Sequence, residues 1–519
     1  MTSILLRRFR IVFSTIVFIC FFLVFIDFKS LFPLQYINYL TYLQFIPSAI
    51  KFFNIRTVAA IGFLVILAIT LITGRTYCSF LCPLGIGQDL FSRIGGRFRR
   101  KFRRYGYKRP FTVVRYSLLA VTLIVTVIWG IYMLTLLDPY SIFGRFMTFF
   151  AKPAALLINN LLSGLLIRFD IYTLSHVPVK AFNLLVYSVP LFFLILVGGL
   201  SLAKGRLYCN MICPVGTLLG LISKISILRI KFDESSCTRC GRCSLQCKSS
   251  CIDFLNHDID ISRCVTCFNC INICQDKAIS YGLVSIKKSE HKTDEDKRKL
   301  IIGSVLLFFG LSERAKGQEK IIPKPQRNST VKENRTYPVC PPGGVSINEF
   351  NKNCTACSLC ISACPNNVLQ PALMQYGISG LMQPVMDYHK SFCTYNCTIC
   401  TEICPTFALK PLLLEAKKLT QLGKVVFIKD NCIVKTEKTA CGVCSESCPT
   451  KAVYMIPYEG NLLIPEVNTD ICIGCGHCEY SCPTVPYKAI FVDGNAIHIA
   501  AERPENVESQ IKSPSEFPF

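Results

Sequence analysis

Cysteine spacing constrains this chain more than any other feature. Of 519 residues 31 are cysteine, and 24 of these fall into six groups of four written in nearly one grammar. Cys237, Cys240, Cys243 and Cys247 follow C-x2-C-x2-C-x3-C, and Cys264, Cys267, Cys270 and Cys274 repeat it. Beyond Thr330 the pattern returns as Cys354, Cys357, Cys360 and Cys364, then as Cys393, Cys397, Cys400 and Cys404. Cys432, Cys441, Cys444 and Cys448 follow, and Cys472, Cys475, Cys478 and Cys482 complete the set. Two groups open on a longer interval, C-x3-C and C-x8-C, but each of the last four ends in C-x2-C-x3-C-P.

This is the spacing of a bacterial [4Fe-4S] run, in which three close cysteines wrap one cubane and the fourth ligates its neighbour. It predicts that Cys237, Cys240 and Cys243 pair with Cys274, and Cys264, Cys267 and Cys270 with Cys247. Among the four later groups, nested and adjacent exchange of the fourth cysteine both remain open. Structural zinc favours separated CxxC pairs, and cysteines so close in sequence are poorly placed to bridge one another. One departure stands out: Lys248 and Gln275 occupy the position after the fourth cysteine where proline is usual. Six clusters account for 24 cysteines, and Cys20, Cys251 and Cys340 lie outside every motif, Cys251 reading as a buried thiol. A cubane ligated by four protein thiolates takes up one electron at a time and makes no bond to substrate, so the expected chemistry is conduction. No C-x-x-C-H haem site, G-x-G-x-x-G or Walker loop is present, and none of the six histidines falls in an expected span.

Part of the chain belongs in lipid. With 51% hydrophobic residues and a mean hydropathy of +0.41 it is too apolar for an ordinary soluble protein. Four apolar stretches, at about 11–27, 57–73, 113–136 and 182–202, approach the roughly 20 residues a spanning helix needs. The basic run from Arg93 to Arg109 and the start MTSILLRRFR place the N-terminus and the loop after the second span in the cytoplasm. The loops at 28–55 and 137–181 are then outside. The net charge of +24 is explained by this topology and by anionic lipid rather than by nucleic acid. The second and fourth spans each end in the same dodecapeptide, GRTYCSFLCPLG at 74–85 and GRLYCNMICPVG at 205–216, with seven identical positions. Their Cys78, Cys82, Cys209 and Cys213 form a further candidate redox centre. Buried packing and a reversible dithiol are the alternatives.

The paired Y-C-x3-C-P segments followed by a dicluster ferredoxin resemble the membrane polyferredoxins of the NapH type, related to NosR and to the FixG/RdxA group, over roughly residues 1–285. The second half, about 300–500, resembles the four-cluster NapG/MauM type of ferredoxin, fused in one chain. The resemblance implies an α-helical membrane bundle of four spans plus α+β ferredoxin-like domains, acting as the electron-transfer component of a quinol dehydrogenase. It implies electrons drawn from the quinone pool and passed to a periplasmic reductase, in the cytoplasmic membrane. Kinship to the FixG/RdxA group implies an alternative, a redox assembly or metal-reduction factor for a copper or haem enzyme.

The expected domains are 1–230 in the membrane, 231–285 as a cytoplasmic dicluster unit, 286–335 as linker, 336–500 as a four-cluster unit and 501–519 as tail. Within the linker, KKSEHKTDEDKRK at 287–299 is a solvated charge run, followed by LIIGSVLLFFGL at 300–311. That apolar stretch is about 18 Å long as a helix, short against a hydrocarbon core of about 30 Å. With Lys297 and Arg298 before it, it matches an export signal and predicts a C-terminal unit in the periplasm; a surface-lying segment with the unit inside is the alternative. Asp138, Tyr140 and His176 are expected at the outer edge as polar candidates for a quinol site, although ordinary helix-end polarity that anchors the spans is the favoured reading of each.

Overall fold

The repeated dodecapeptide closes two copies of one helical motif. In the computed structural model, which describes residues 3–27, 32–55, 61–98, 105–179, 184–283 and 329–503, the membrane half is built around them. Its helices are α1 (Ser3–Ile26), α2 (Leu34–Tyr42), α3 (Phe45–Ile55), α4 (Gly62–Thr73), α5 (Tyr77–Phe80), α6 (Pro83–Phe98), α7 (Thr112–Trp129), α8 (Tyr132–Leu137), α9 (Pro139–Phe146), α10 (Lys152–Ile167), α11 (Ser188–Lys204), α12 (Leu207–Met211) and α13 (Pro214–Ser223). The first copy is α4, α5 and α6; the second is α11, α12 and α13. In each, a long apolar helix ends on a left-handed glycine, Gly74 (φ 78°) or Gly205 (φ 71°), which only a residue without Cβ adopts freely. One short turn carries the first cysteine, and proline at the first helical position starts the next helix.

Among the described residues, four helical segments are long and apolar enough to cross a bilayer: Leu5–Ile26, Thr112–Trp129, Pro139–Ile167 and Leu184–Lys204. Three correspond to expected spans. The fourth runs through a stretch expected to be an outer loop, while the expected span at 57–73 is represented by the shorter α4. Arg145, Lys152 and Asn159 dilute the apolar pattern of Pro139–Ile167, because its polar groups turn inward: Arg145 is 1% exposed and Nη2 donates to the Thr135 carbonyl at 2.7 Å. A π-turn at Met147–Ala151 joins α9 to α10 and further breaks the helical period. Lipid-facing side chains show the opposite character, with Val127, Ile128 and Trp129 of α7 all more than 60% exposed.

Two iron–sulfur-type units flank this bundle. Residues 228–283 pair Leu228–Phe232 with Ile279–Leu283 in an antiparallel ribbon, with a second short ribbon at 252–259. Residues 329–503 carry three more antiparallel pairs, the longest joining Thr420–Phe427 to Ile490–Ala500. The units meet opposite ends of α1. Near its start Arg10 Nη1 bonds Asp89 at 2.9 Å, in a group that includes Lys248 of the first unit. Near its end the Phe25 carbonyl accepts from Ser362 Oγ of the second unit at 2.6 Å. Fifteen helical residues separate those contacts, about 22 Å along the axis. The charge run 287–299, the Lys297–Arg298 pair and the apolar segment 300–311 lie outside the described residues.

Candidate metal centres

Each regular cysteine run folds the same way because its spacers adopt the same backbone. In the runs starting at Cys237, Cys264, Cys354 and Cys472, the residue just before the second cysteine is left-handed: Arg239, Thr266, Ala356 and Gly474. The residue just after that cysteine is left-handed too: Gly241, Phe268, Ser358 and Gly476. Such alternation turns successive N–H groups toward one point, and the Arg239 and Gly474 amides each bond the first sulfur of their run at 3.4 Å. The third residue after the last cysteine is also left-handed in five runs, at Ser250, Lys277, Asn367, Phe407 and Lys451. Ser250 and Lys277 follow the two cysteines that lack proline, so Lys248 and Gln275 leave that turn intact.

Neighbouring thiols identify which cysteines converge. Burial pushes the Cys243 thiol up to about 11, with Cys240, Cys274 and Cys237 beside it. Cys270 is raised by burial and then by Cys267, Cys264 and Cys247. In the second unit, burial and then Cys357, Cys354 and Cys404 raise Cys360, while burial and then Cys393, Cys364 and Cys397 raise Cys400. Burial and then Cys441 and Cys482 push Cys444 up to about 12, and Cys478 is raised by burial and then by Cys475, Cys472 and Cys448. The fourth cysteine of each run therefore lies beside the first three of the adjacent run, first with second and third with fourth. Cavities lined by Cys237, Cys240, Cys243 and Cys274, and by Cys432, Cys441, Cys444 and Cys482, mark two of these convergences.

The described cysteines are all free thiols. Among the described residues no three cysteine sulfurs lie within 4.8 Å of one another, whereas thiolates about 2.3 Å from one zinc ion would sit about 3.8 Å apart. The residues fit a polynuclear cluster better than a single ion. Of the cysteines outside the motifs, Cys251 is buried 3.4 Å from Cys247, Cys340 is buried and Cys20 is half-buried.

Within the bundle, Cys78, Cys82, Cys209 and Cys213 are 2–3% exposed and share one core. They are electrostatic neighbours across the two copies. All seven identical positions of the dodecapeptide serve this arrangement. Arg75 Nη2 donates to the Cys209 carbonyl at 3.2 Å, and Arg206 Nη1 donates to the Cys78 carbonyl at 2.5 Å. Each arginine thus clasps the other copy. Gly85 and Gly216 lie against those same carbonyls, where a Cβ would come within 2.3 and 2.2 Å. Their amides bond Cys82 and Cys213 sulfur at 3.4 and 3.3 Å. Tyr77 donates to Gln44 Oε1 at 3.2 Å and Tyr208 to the Leu137 carbonyl at 2.8 Å.

Sequence reasoning missed the residues that hold the first unit against the bundle. Ser79 and Asn210 occupy equivalent positions, each directly after the first cysteine of its copy. Ser79 Oγ donates to the Val265 carbonyl at 2.6 Å and Asn210 Nδ2 to the Ser249 carbonyl at 3.3 Å, so each copy grips one cysteine run. Arg75 Nη1 adds a bond to the Ser262 carbonyl at 2.8 Å. The available signal was that both non-identical positions are polar inside an apolar segment. Asp89 completes the joint, 2.9 Å from Arg10, 2.9 Å from Arg206 and 3.3 Å from Lys248.

Beyond the quartet, Asp138 caps α9 through Ser141 N at 2.8 Å and is 1% exposed. Tyr140 is equally buried, packed edge-on to Phe21 at 6.0 Å, with Cys357 among its electrostatic neighbours. Both lie in the bundle core rather than at its edge, and His176 alone of the three is exposed. Cys357, Leu359 and Ile403 of the second unit share that core. Within the second unit the Cys393 amide donates to the Cys475 carbonyl at 2.9 Å, placing the second convergence beside the fourth.

An apolar bundle flanked by ferredoxin-type loops defines a membrane-bound iron–sulfur electron-transfer protein, and the comparisons agree. The family described as "4Fe-4S binding domain" matches residues 55–104 and 185–233, one match on each membrane motif, and the family described as "4Fe-4S dicluster domain" matches 439–485. The chain therefore binds multiple [4Fe-4S] clusters. Its homologues are ferredoxin-type electron-transport proteins, and it matches a NapH-type polyferredoxin. Ferredoxin-type protein NapH of Escherichia coli is 25% identical over 232 residues, 42% of this chain and 66% of NapH. Methylamine utilization ferredoxin-type protein MauN of Paracoccus denitrificans is 26% identical over 206 residues, 38% of this chain and 58% of MauN. Putative electron transport protein YccM of Escherichia coli is 23% identical over 224 residues, 43% of this chain and 54% of YccM. No solved structure matches the chain.

Proposed function

We propose that the protein conducts electrons between the quinol pool of a cytoplasmic membrane and an acceptor protein outside it, along one series of cysteine sites. The observation that carries this reading is the placement of the sites: the dicluster unit touches the start of α1, the membrane quartet lies in the bundle core, and Cys357 reaches that core from the far end. In this reading all 24 cysteines of the six runs are cluster ligands, six clusters in number. Cys78, Cys82, Cys209 and Cys213 form a further redox centre between the two units. When bound, such clusters supply one-electron uptake and release and no other chemistry. The chain's own residues fix their order: Ser79, Asn210, Arg75 and Lys248 seat the first unit, and Ser362, Thr148 and Lys152 seat the second. Contact with opposite ends of α1 supports a C-terminal unit in the periplasm, with the N-terminus and dicluster unit in the cytoplasm. A series this long suits conduction to a reductase better than metal reduction during assembly, which needs fewer sites.

Purified without oxygen, the protein should hold about 24 irons in its six ferredoxin-type sites. Replacing Cys82 and Cys213 together with serine should abolish reduction of those sites by a quinol analogue in proteoliposomes while dithionite still reduces them. Reduction by quinol at the native rate in that variant would reduce the quartet to packing. Failure of quinol to reduce the unaltered protein would sink the quinol reading.

A further inference from the structure

One thiol outside the six runs stands against the sulfurs of two of them. Cys251 Sγ is 3.4 Å from Cys247 Sγ, and Cys264 is a second hydrogen-bonding neighbour of the same thiol. In the ligand set proposed above, Cys247 completes the site of Cys264, Cys267 and Cys270, so Cys251 adds a fifth sulfur to that one site. It is 1% exposed and shares a core with Cys247, Cys264 and Cys270.

The turn that follows each run accounts for the position of this sulfur. In five runs the third residue after the last cysteine is left-handed, and the chain reverses there so that the next residue is turned inward. That next residue is Cys251, Ala278, Val368, Ala408 or Ala452, each no more than 4% exposed. Four of the five runs thus put an apolar side chain behind the site. The run ending at Cys247 puts a metal-ligating atom there instead. The bundle also fixes the residues between the two sulfurs. The Arg206 amide donates to the Lys248 carbonyl at 3.1 Å, Asn210 Nδ2 to the Ser249 carbonyl at 3.3 Å and the Lys108 amide to the Ser250 carbonyl at 3.4 Å. With three successive peptide groups held, replacing one sulfur by the other asks for rotation of two side chains and no rearrangement of the loop.

We propose that Cys251 is an alternative fourth ligand for the cluster site of Cys264, Cys267 and Cys270, interchangeable with Cys247. In the exchange, the bond from iron to Cys251 sulfur forms as the bond from iron to Cys247 sulfur breaks, and the Cys251 thiol proton passes to the released Cys247 sulfur. Iron, charge and electron count are unchanged, so no oxidant or reductant takes part. Such a site keeps its fourth iron when one ligand is released, where a site with a single fourth ligand would leave that iron open to loss. The exchange presupposes Cys247 as a ligand, in the set proposed above.

The test uses the full-length protein, purified without oxygen and then mildly oxidised, with electron paramagnetic resonance reading three-iron clusters and metal analysis reading iron per chain. Cys247→Ala should keep the four-iron complement of the parent, whereas Cys247→Ala combined with Cys251→Ala should gain about one three-iron signal per chain. The signal in both variants would leave Cys247 as a ligand and overturn the exchange. Its absence from both would overturn the exchange together with the assignment of Cys247. Because Cys247 lies at the joint with the bundle and its loss could disturb folding, a second arm transplants the arrangement to the neighbouring run. Cys274→Ala, whose turn carries Ala278 in the place of Cys251, should show the three-iron signal, and adding Ala278→Cys should remove it. Persistence of the signal after Ala278→Cys would show that a sulfur at this position does not reach the cluster, and the proposal would fall.

Discussion

The two iron–sulfur units are attached to the bundle by different physics. The first unit is held by buried charge and directed polar bonds: Asp89 among three cations, Arg75 on the Ser262 carbonyl, and Ser79 and Asn210 on one run each. The second is seated mainly by apolar packing of Cys357, Leu359 and Ile403 against Phe21, Phe25, Tyr140 and Phe143, with a few bonds to backbone carbonyls. Directed bonds fix register but fail abruptly, since removing one partner strands the others without water. Apolar packing fails by degrees, in proportion to the area or volume disturbed.

Breaking the charged joint should have the largest effect. Asp89→Asn leaves Arg10, Arg206 and Lys248 buried around a neutral amide, and a loss of about 3–5 kcal/mol is expected. Limited proteolysis of residues 228–283 in membranes should accelerate strongly, and adding Lys248→Met should recover part of the protection. Unchanged protection in Asp89→Asn would mean that the joint is held by something other than charge.

At the apolar joint the sharpest probe is Gly144→Ala. Its Cβ would stand 2.2 Å from the Cys357 carbonyl and 2.9 Å from the Phe25 ring, and crowding of this kind costs about 1–3 kcal/mol. Hydrogen exchange across 355–363 should rise while that across 247–266 stays as in the parent. A rise in both segments would show that the two joints are coupled.

The smallest effect lies inside the second unit and is set by pH. His389 lies 3.2 Å from Glu333, and that hydrogen bond lifts it above its usual 6.5 despite burial. Burial alone would raise Glu333, but bonds from His389, the Lys488 amide and Arg335 bring it down to about 2. The histidine contribution is complete below pH 6.5 and is lost as pH rises through its raised value; the glutamate contribution is present above pH 4.5 and is lost as pH falls toward 2. With the His389 side chain 47% exposed, the pair should contribute less than about 1 kcal/mol. Thermal unfolding of the second unit should therefore soften slightly above pH 6.5, and His389→Gln should flatten that slope. An unaltered slope would assign it elsewhere.

Local features were legible in the sequence. The six cysteine runs, the two repeated pairs, the apolar stretches and Cys251 as a buried thiol all depend on residues a few positions apart, where spacing dictates geometry. Even the missing prolines after Cys247 and Cys274 mattered little, because the left-handed turns at Ser250 and Lys277 form without them. Other features depend on residues far apart in the chain. Adjacent rather than nested placement of Cys364, Cys404, Cys448 and Cys482 is set by how the runs pack, and the spacing allows both. Arg145 and Asn159 disguised the helical segment Pro139–Ile167 because their burial is decided by neighbouring helices rather than by their own hydropathy. Ser79 and Asn210 read as ordinary polar residues until folding brought Val265 and Ser249, 186 and 39 positions away, within bonding distance. Short-range spacing determined the chemistry, and long-range packing alone decided the order of the sites, since a buried donor takes its meaning from the acceptor that tertiary structure delivers.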